Sequence, residues 1–103
     1  GSTAYSLSAG GPVVDPTIES IILTPICTHS LFSHSIIFRE DERMRVYATK
    51  DDETELCVLC DGEEPIQIVK GCSCVVQRAE TAAEFIRIKS DSFTEILNSK
   101  LMK

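Results

Sequence analysis

The stretch ELCVLCDGEEPIQIV, residues 55–69, sets the fold class. Glu55–Cys60 is apolar on both faces, which predicts a central strand covered on each side. Asp61-Gly62 is turn chemistry, because Asp tolerates a left-handed backbone and Gly adopts one without steric cost. Glu63, Glu64 and Pro65 extend that turn, and Ile66–Val69 returns as a second strand.

The same punctuation continues on both sides. Upstream, Met44, Val46 and Ala48 alternate with Arg43, Arg45, Tyr47 and Thr49, the period-two mark of a strand wet on one face. Lys50-Asp51-Asp52-Glu53 then reads as a charged turn. Downstream, Gly71 turns the chain, Ser73–Arg78 makes a further strand, and Phe85, Ile86 and Ile88 mark one more. Nearer the start, Ile22, Leu23 and Thr24 read as a strand broken by Pro25. Cys27–Ser33 is polar loop, and Ser35–Phe38 is a short strand.

Two helices flank this pattern. Ser90 or Ser92 caps a helix running to Leu101, with Phe93, Ile96, Leu97 and Leu101 as one apolar stripe, the signature of docking on a core. At the other end, GSTAYSLSAGGPVVDP, residues 1–16, is a hydroxyl-rich start, a short helix and a stop. Ser2 or Thr3 caps that helix, Gly10 and Gly11 permit a left-handed exit, and Pro12 cannot continue it. Asp15-Pro16-Thr17 is a turn, with Thr17 capping a helical turn over Ile18–Ile21. The fold class is therefore mainly β: an antiparallel, sandwich-like architecture with a short N-terminal helix and a C-terminal helix.

The totals bound the function. At 103 residues there is at most one domain, 43% hydrophobic and 25% charged, the composition of an ordinary globular protein. A net charge of −6 offers no footprint for a phosphate backbone, so nucleic acid is not an expected partner. The apolar runs are too short to span a bilayer, no basic and apolar leader opens the chain, and no membrane partner is expected. Five cysteines, an odd number without secretory context, fit reduced thiols in a cytoplasmic protein.

The first helix has its free N–H groups and positive dipole end beside Ser2, Thr3 and Tyr5, a setting for a polar or anionic ligand. The string GSTAYSLSAGGP, followed by VVDP and LTPICTHSLF, closely resembles the substrate-binding C-terminal domain of the NAD kinase family. The likeness is dense from Gly1 to about Phe38 and continues through Cys60–Gly62 into SDSFTEILNSKL. Asp15 stands where many of that family have His, and Thr28 where many have Pro, departures that bear on loop geometry.

The resemblance implies an activity for the parent protein. The family phosphorylates the 2′-hydroxyl of the adenosine ribose of NAD with ATP or polyphosphate, giving NADP, with Mg²⁺ on the phosphates. By the same resemblance, residues 1–103 correspond to part of the C-terminal, substrate-binding domain. An upstream α/β domain is expected to carry a Gly-Gly-Asp-Gly loop and an Asn-Glu segment, neither of which occurs here. The fragment is accordingly expected to be inactive alone and to contain no catalytic residue. The NAD-binding positions carried over are Thr3, Ala4, Tyr5, Ser8, Ile26 and Asp61. Tyr5 would stack on a ring of the dinucleotide, Thr3 and Ser8 offer hydroxyls, Ala4 offers backbone with little bulk, and Ile26 gives apolar contact. Asp61 lies on a turn that approaches the dinucleotide, and His29 braces its loop. Homodimers or homotetramers are expected through this domain.

Rival readings concern the same residues. Cys57, Cys60, Cys72 and Cys74 form a conceivable four-thiolate zinc site, but Cys57 and Cys60 on a regular strand point to opposite faces and the second pair has the wrong spacing, so no zinc is expected. His29 and His34 lie in a polar loop with no matching acid or Cys to make a catalytic dyad. A diacylglycerol- or sphingosine-kinase-like domain shares the general plan but needs a greasy channel, whereas GSTAY is polar. A non-catalytic β module serving assembly remains the other alternative, since unpaired strand edges invite association.

Overall fold

The computed structural model describes residues 2–49 and 55–100. They form two compact units: Gly1–Glu40 with Ala79–Lys103, and Asp41–Arg78. Every strand pairing among the described residues is antiparallel, and the architecture is mainly β with a helix near each end. No described helix is long and apolar enough to cross a membrane.

The first unit opens with α1, Ser2–Ser8. Since α1 begins at Ser2, Ser2 and Thr3 occupy its first turn rather than the flanking cap position. Its C-terminus is a Schellman arrangement: the Gly11 amide donates to the Ser6 carbonyl at 2.7 Å and the Gly10 amide to the Leu7 carbonyl at 3.1 Å. Gly10 supplies the left-handed residue, with φ 89°. Gly11 is not left-handed; its small size is needed because a Cβ there would collide with the Ser6 hydroxyl and carbonyl and with the Thr24 hydroxyl.

Strand β1, Ser20–Leu23, pairs with β2, Ile36–Arg39, in the register Ser20↔Arg39 to Leu23↔Ile36. The β-branched run Ile21-Ile22 suits this ladder better than the helical turn expected over Ile18–Ile21. Asp15 explains the difference. Its Oδ1 accepts the Thr17 amide at 2.9 Å and the Thr17 hydroxyl at 2.8 Å, so Thr17 closes an Asx turn instead of capping a helix. Those two bonds, with a smaller contribution from Arg87, hold the Asp15 carboxyl below its ordinary range.

Helix α2, Phe93–Lys100, starts with a capping box. The Ser92 hydroxyl accepts the Glu95 amide at 3.3 Å, and Glu95 Oε2 accepts the Ser92 amide at 2.7 Å. The Ser92 bonds hold the Glu95 carboxyl below its ordinary range. Ser92, of the two candidates, is therefore the cap. Phe93 and Leu97 are half-buried, whereas Ile96 is exposed; Leu101 lies outside the described residues. The strand expected at Phe85, Ile86 and Ile88 is absent from the described residues: this segment is irregular and its side chains are 84%, 92% and 94% exposed. It has apolar composition but no ladder neighbour, and composition alone does not make a strand.

The second unit contains β3, Met44–Val46, β4, Leu56–Val58, β5, Ile66–Ile68, and β6, Cys74–Val76. β3 pairs with β6, and β4 with β5, so the inner hairpin is nested within the outer pair in sequence. The expected charged turn at Lys50–Glu53 falls outside the described residues. The inner turn is type I′: Asp61 and Gly62 have φ 48° and 77°, and the Glu63 amide donates to the Cys60 carbonyl at 2.9 Å. At Val69–Cys72 the Cys72 amide donates to the Val69 carbonyl at 2.9 Å, with Gly71 at φ 88° taking the left-handed position. The central strand expected at Glu55–Cys60 is corrected. β4 is shorter and has one described neighbour, with Leu56 and Val58 half-buried and Cys57 exposed.

No described hydrophobic side chain is fully buried. The chain exposes 9508 Å², whereas two separate folded bodies of these sizes would expose roughly 7,000 Å² together. Leu31, Phe85, Ile86 and Ile88 are nearly bare apolar side chains.

Candidate functional site

Of the six residues singled out as dinucleotide contacts, four lie on α1. Thr3 sits in its first turn, and Ala4, Tyr5 and Ser8 follow within one further turn and a half. Tyr5 is 74% exposed, an aromatic ring presented to solvent rather than packed. Ala4 and Ser8 lie on one helix face by their i, i+4 spacing. The Ser8 hydroxyl donates back to the Ala4 carbonyl at 3.2 Å, which leaves its oxygen available as an acceptor. The face thus combines a flat ring, a small residue and a hydroxyl. That combination can stack on a heteroaromatic ring and hydrogen-bond to a sugar or amide.

Ile26 lies in the same unit, on the loop after β1, half exposed and followed by Cys27 in a left-handed conformation with φ 52°. A pair of hydroxyls joins that loop to α1. The Ser6 and Thr24 hydroxyl oxygens are 2.6 Å apart, and the Ser35 hydroxyl donates to Thr24 at a longer 3.4 Å. The register explains why Thr24 and Ser35 meet: they are the next residues beyond the Leu23↔Ile36 pair, at the mouth of the β1–β2 hairpin. Sequence reading placed Thr24 and Ser35 on strands, just beyond the observed ends of β1 and β2, and assigned no functional role to Ser6, Thr24 or Ser35. The available signals were the second glycine after α1 and a Thr-Pro directly after an apolar strand.

Asp61 belongs to the second unit, at the tip of the β4–β5 turn, with an exposed carboxylate. The loop bearing His29 is braced by other residues: Thr28 Oγ1 accepts the Ser30 amide at 3.1 Å, and Ser30 Oγ accepts the Phe32 amide at 3.1 Å. His34 meets Phe32 edge to face, with ring centroids 6.2 Å apart. All five cysteines are free thiols, four of them exposed. Among the described residues no three His, Cys, Asp or Glu side chains converge as a metal site would require.

A depression of about 540 Å³ in the first unit is lined by Val13, Asp15, Arg87 and Phe93, with Leu7 of α1 at its edge. Tyr5, Ser8 and Ile26 do not line it. Its lining mixes apolar side chains with polar ones, Asp91 and Ser92 among them, and its Asp15 is already engaged by Thr17.

Comparison with known proteins agrees with the N-terminal motif. A family profile described as the ATP-NAD kinase C-terminal domain matches residues 1–88. The NAD kinase of Thermoanaerobacter sp. (strain X514) is 40% identical over 101 residues, covering 98% of this chain and 35% of that protein. The NAD kinase of Carboxydothermus hydrogenoformans is 37% identical over 101 residues, covering 98% of this chain and 36% of its own length. That of Moorella thermoacetica is 38% identical over the same length, with 32% of its own chain covered. The chain therefore spans about a third of the length of the curated relatives it matches.

Proposed function

Because this chain belongs to the ATP-NAD kinase C-terminal domain family, we propose that it is the dinucleotide-gripping part of a cytoplasmic NAD kinase. The whole protein transfers a phosphoryl group from ATP or polyphosphate to the 2′-hydroxyl of the adenosine ribose of NAD. The observation that carries this reading is the solvent-facing ring of Tyr5 on a helix whose neighbouring positions are small or hydroxylated.

In this mechanism the chain's own residues bind and orient. Tyr5 stacks on a ring of the dinucleotide, Ala4 lets the ligand approach the backbone, and Thr3 and Ser8 hydrogen-bond to it. Ile26 contributes apolar contact. Phosphoryl transfer is chiefly positioning plus neutralisation of charge on the phosphates, the latter supplied by a divalent metal such as Mg²⁺. Among the described residues no group of three His, Cys, Asp or Glu side chains converges. On the family resemblance, metal, donor and the carboxylate that assists the attacking hydroxyl are assigned to the N-terminal catalytic domain, and residues 1–103 alone are taken to be inactive.

The test is isothermal titration of NAD into the full-length protein and its Tyr5→Ala variant. Micromolar to millimolar binding that Tyr5→Ala weakens supports the reading, and equal affinity of the two proteins removes α1 from the site.

A second role accompanies the first: assembly into a homodimer or homotetramer. It is favoured by the absence of any buried described side chain and by strand pairs with open edges.

A further inference from the structure

We propose that Thr24 is a positioning residue for the dinucleotide, acting through Ser6 to set the angle at which α1 presents Tyr5 and Ser8. This rests on the reading that α1 contacts the dinucleotide.

A helix of seven residues does not hold itself in water, because nucleation costs more than so few hydrogen bonds return. Its orientation must come from outside contacts. At its C-terminal end the Gly10-Gly11 hinge fixes where the chain leaves. Along its body a hydrogen bond to a distant residue is the Ser6–Thr24 hydroxyl pair at 2.6 Å, linking residues 18 apart in sequence. Ser6 adjoins Tyr5 but lies about 100° around the helix from it. Ser6 is half-buried while Tyr5 is exposed, so one face is fastened and the next is offered to solvent.

Thr24 suits the fastening for three reasons. It directly follows Leu23, the last residue of β1 paired in the β1–β2 ladder, so it leaves a hydrogen-bonded element that owes nothing to α1. A hydroxyl both donates and accepts, so Ser35 can donate to Thr24 while Thr24 donates to Ser6 in one consistent series. Gly11 leaves the space in which the two oxygens meet; a Cβ there would fall 2.7 Å from the Ser6 carbonyl oxygen and 2.9 Å from Thr24 Oγ1. Removing the Thr24 hydroxyl leaves the Ser6 hydroxyl without this partner in a half-buried place. The helix then gains freedom to rotate, and the cost falls on ligand geometry.

The experiment is steady-state kinetics on the full-length protein, varying NAD and ATP separately, with thermal denaturation alongside. Thr24→Val keeps the shape of the side chain and deletes the hydroxyl; Thr24→Ser keeps the hydroxyl. Thr24→Val is expected to raise the KM for NAD about fivefold, the effect of roughly one net hydrogen bond, with the KM for ATP unchanged. Thr24→Ser is expected to restore the KM for NAD to within about twofold. Ser6→Ala should reproduce the Thr24→Val change, and the double variant should be no worse than either single one. Should Thr24→Val not fold, Ser6→Ala carries the comparison.

The proposal is overturned if Thr24→Val and Ser6→Ala leave the KM for NAD unchanged while Tyr5→Ala raises it. It is also overturned if both Michaelis constants rise together with a lower Tm that Thr24→Ser does not recover. If Tyr5→Ala itself leaves the KM for NAD unchanged, the reading of α1 as the ligand-bearing helix fails first.

Discussion

The Gly11 amide donates to the Ser6 carbonyl at 2.7 Å, and the same close approach leaves no room for a side chain at position 11. Gly10, one residue earlier, faces open space but has a left-handed backbone. The two glycines of one motif are thus required for different reasons, and the difference is measurable. In the full-length protein, Gly10→Ala is expected to cost about 1–2 kcal/mol through backbone strain and to leave the KM for NAD near its original value. Gly11→Ala is expected to cost about 1–3 kcal/mol through overpacking and also to raise the KM for NAD, because Ser6 must move. Urea denaturation and NAD-dependent kinetics on the pair check this.

Tyr5 offers a sharper test of recognition. Tyr5→Ala in the full-length protein is expected to raise the KM for NAD at least tenfold, about 1.4 kcal/mol of lost binding, and to leave the KM for ATP unaltered. Tyr5→Phe retains the ring and is expected to stay within about threefold, if stacking dominates over the phenolic hydroxyl.

Residues 1–103, purified alone and supplied with ATP, Mg²⁺ and NAD, are expected to form no NADP. An enzymatic cycling assay for NADP reads this directly. Sustained turnover by the fragment would place the phosphoryl-transfer machinery within these residues, against the proposed division of labour.

The isolated chain is further expected to behave as a weakly cooperative body. With no described hydrophobic side chain fully buried, little apolar surface drives its folding. Its urea m-value should fall below that of a compact 103-residue domain, and it should bind a hydrophobic dye or self-associate as concentration rises. A sharp two-state transition in a monomer would contradict this.

Acid should loosen α2. The Glu95 carboxyl is held below its ordinary range by the Ser92 bonds, so its contribution is present above the unfolded-state value, about pH 4.3, and is lost as pH falls through the lower folded-state value. Amide exchange at Ile96–Lys100 should accelerate as pH drops through that window, after correction for intrinsic rates. Glu95→Gln, which has no charge to lose there, should flatten the dependence.

Local chemistry was legible in the chain itself. The turns at Asp61-Gly62 and Gly71, an exit of α1 at Gly10-Gly11 and a serine cap for α2 at Ser90 or Ser92 all follow from what a residue's own backbone and nearest neighbours permit, and the structure selects Gly10 and Ser92. The mainly antiparallel β class and the family were legible too, because strand period and a dense motif are written in consecutive letters. Structure and sequence part where the outcome depends on a partner elsewhere. Thr17 has the chemistry of a helix cap, but Asp15 engages it and the Ile21 ladder takes the segment. Phe85, Ile86 and Ile88 have strand composition without a strand beside them.

The sequence by itself determined which kind of chain this is and where it bends, since both are settled within a few bonds of each residue. Only the tertiary structure decided that Ser6 meets Thr24 and that Gly11 makes room for them, because those contacts join elements separated in the chain, and no local preference specifies which hydroxyl will face which.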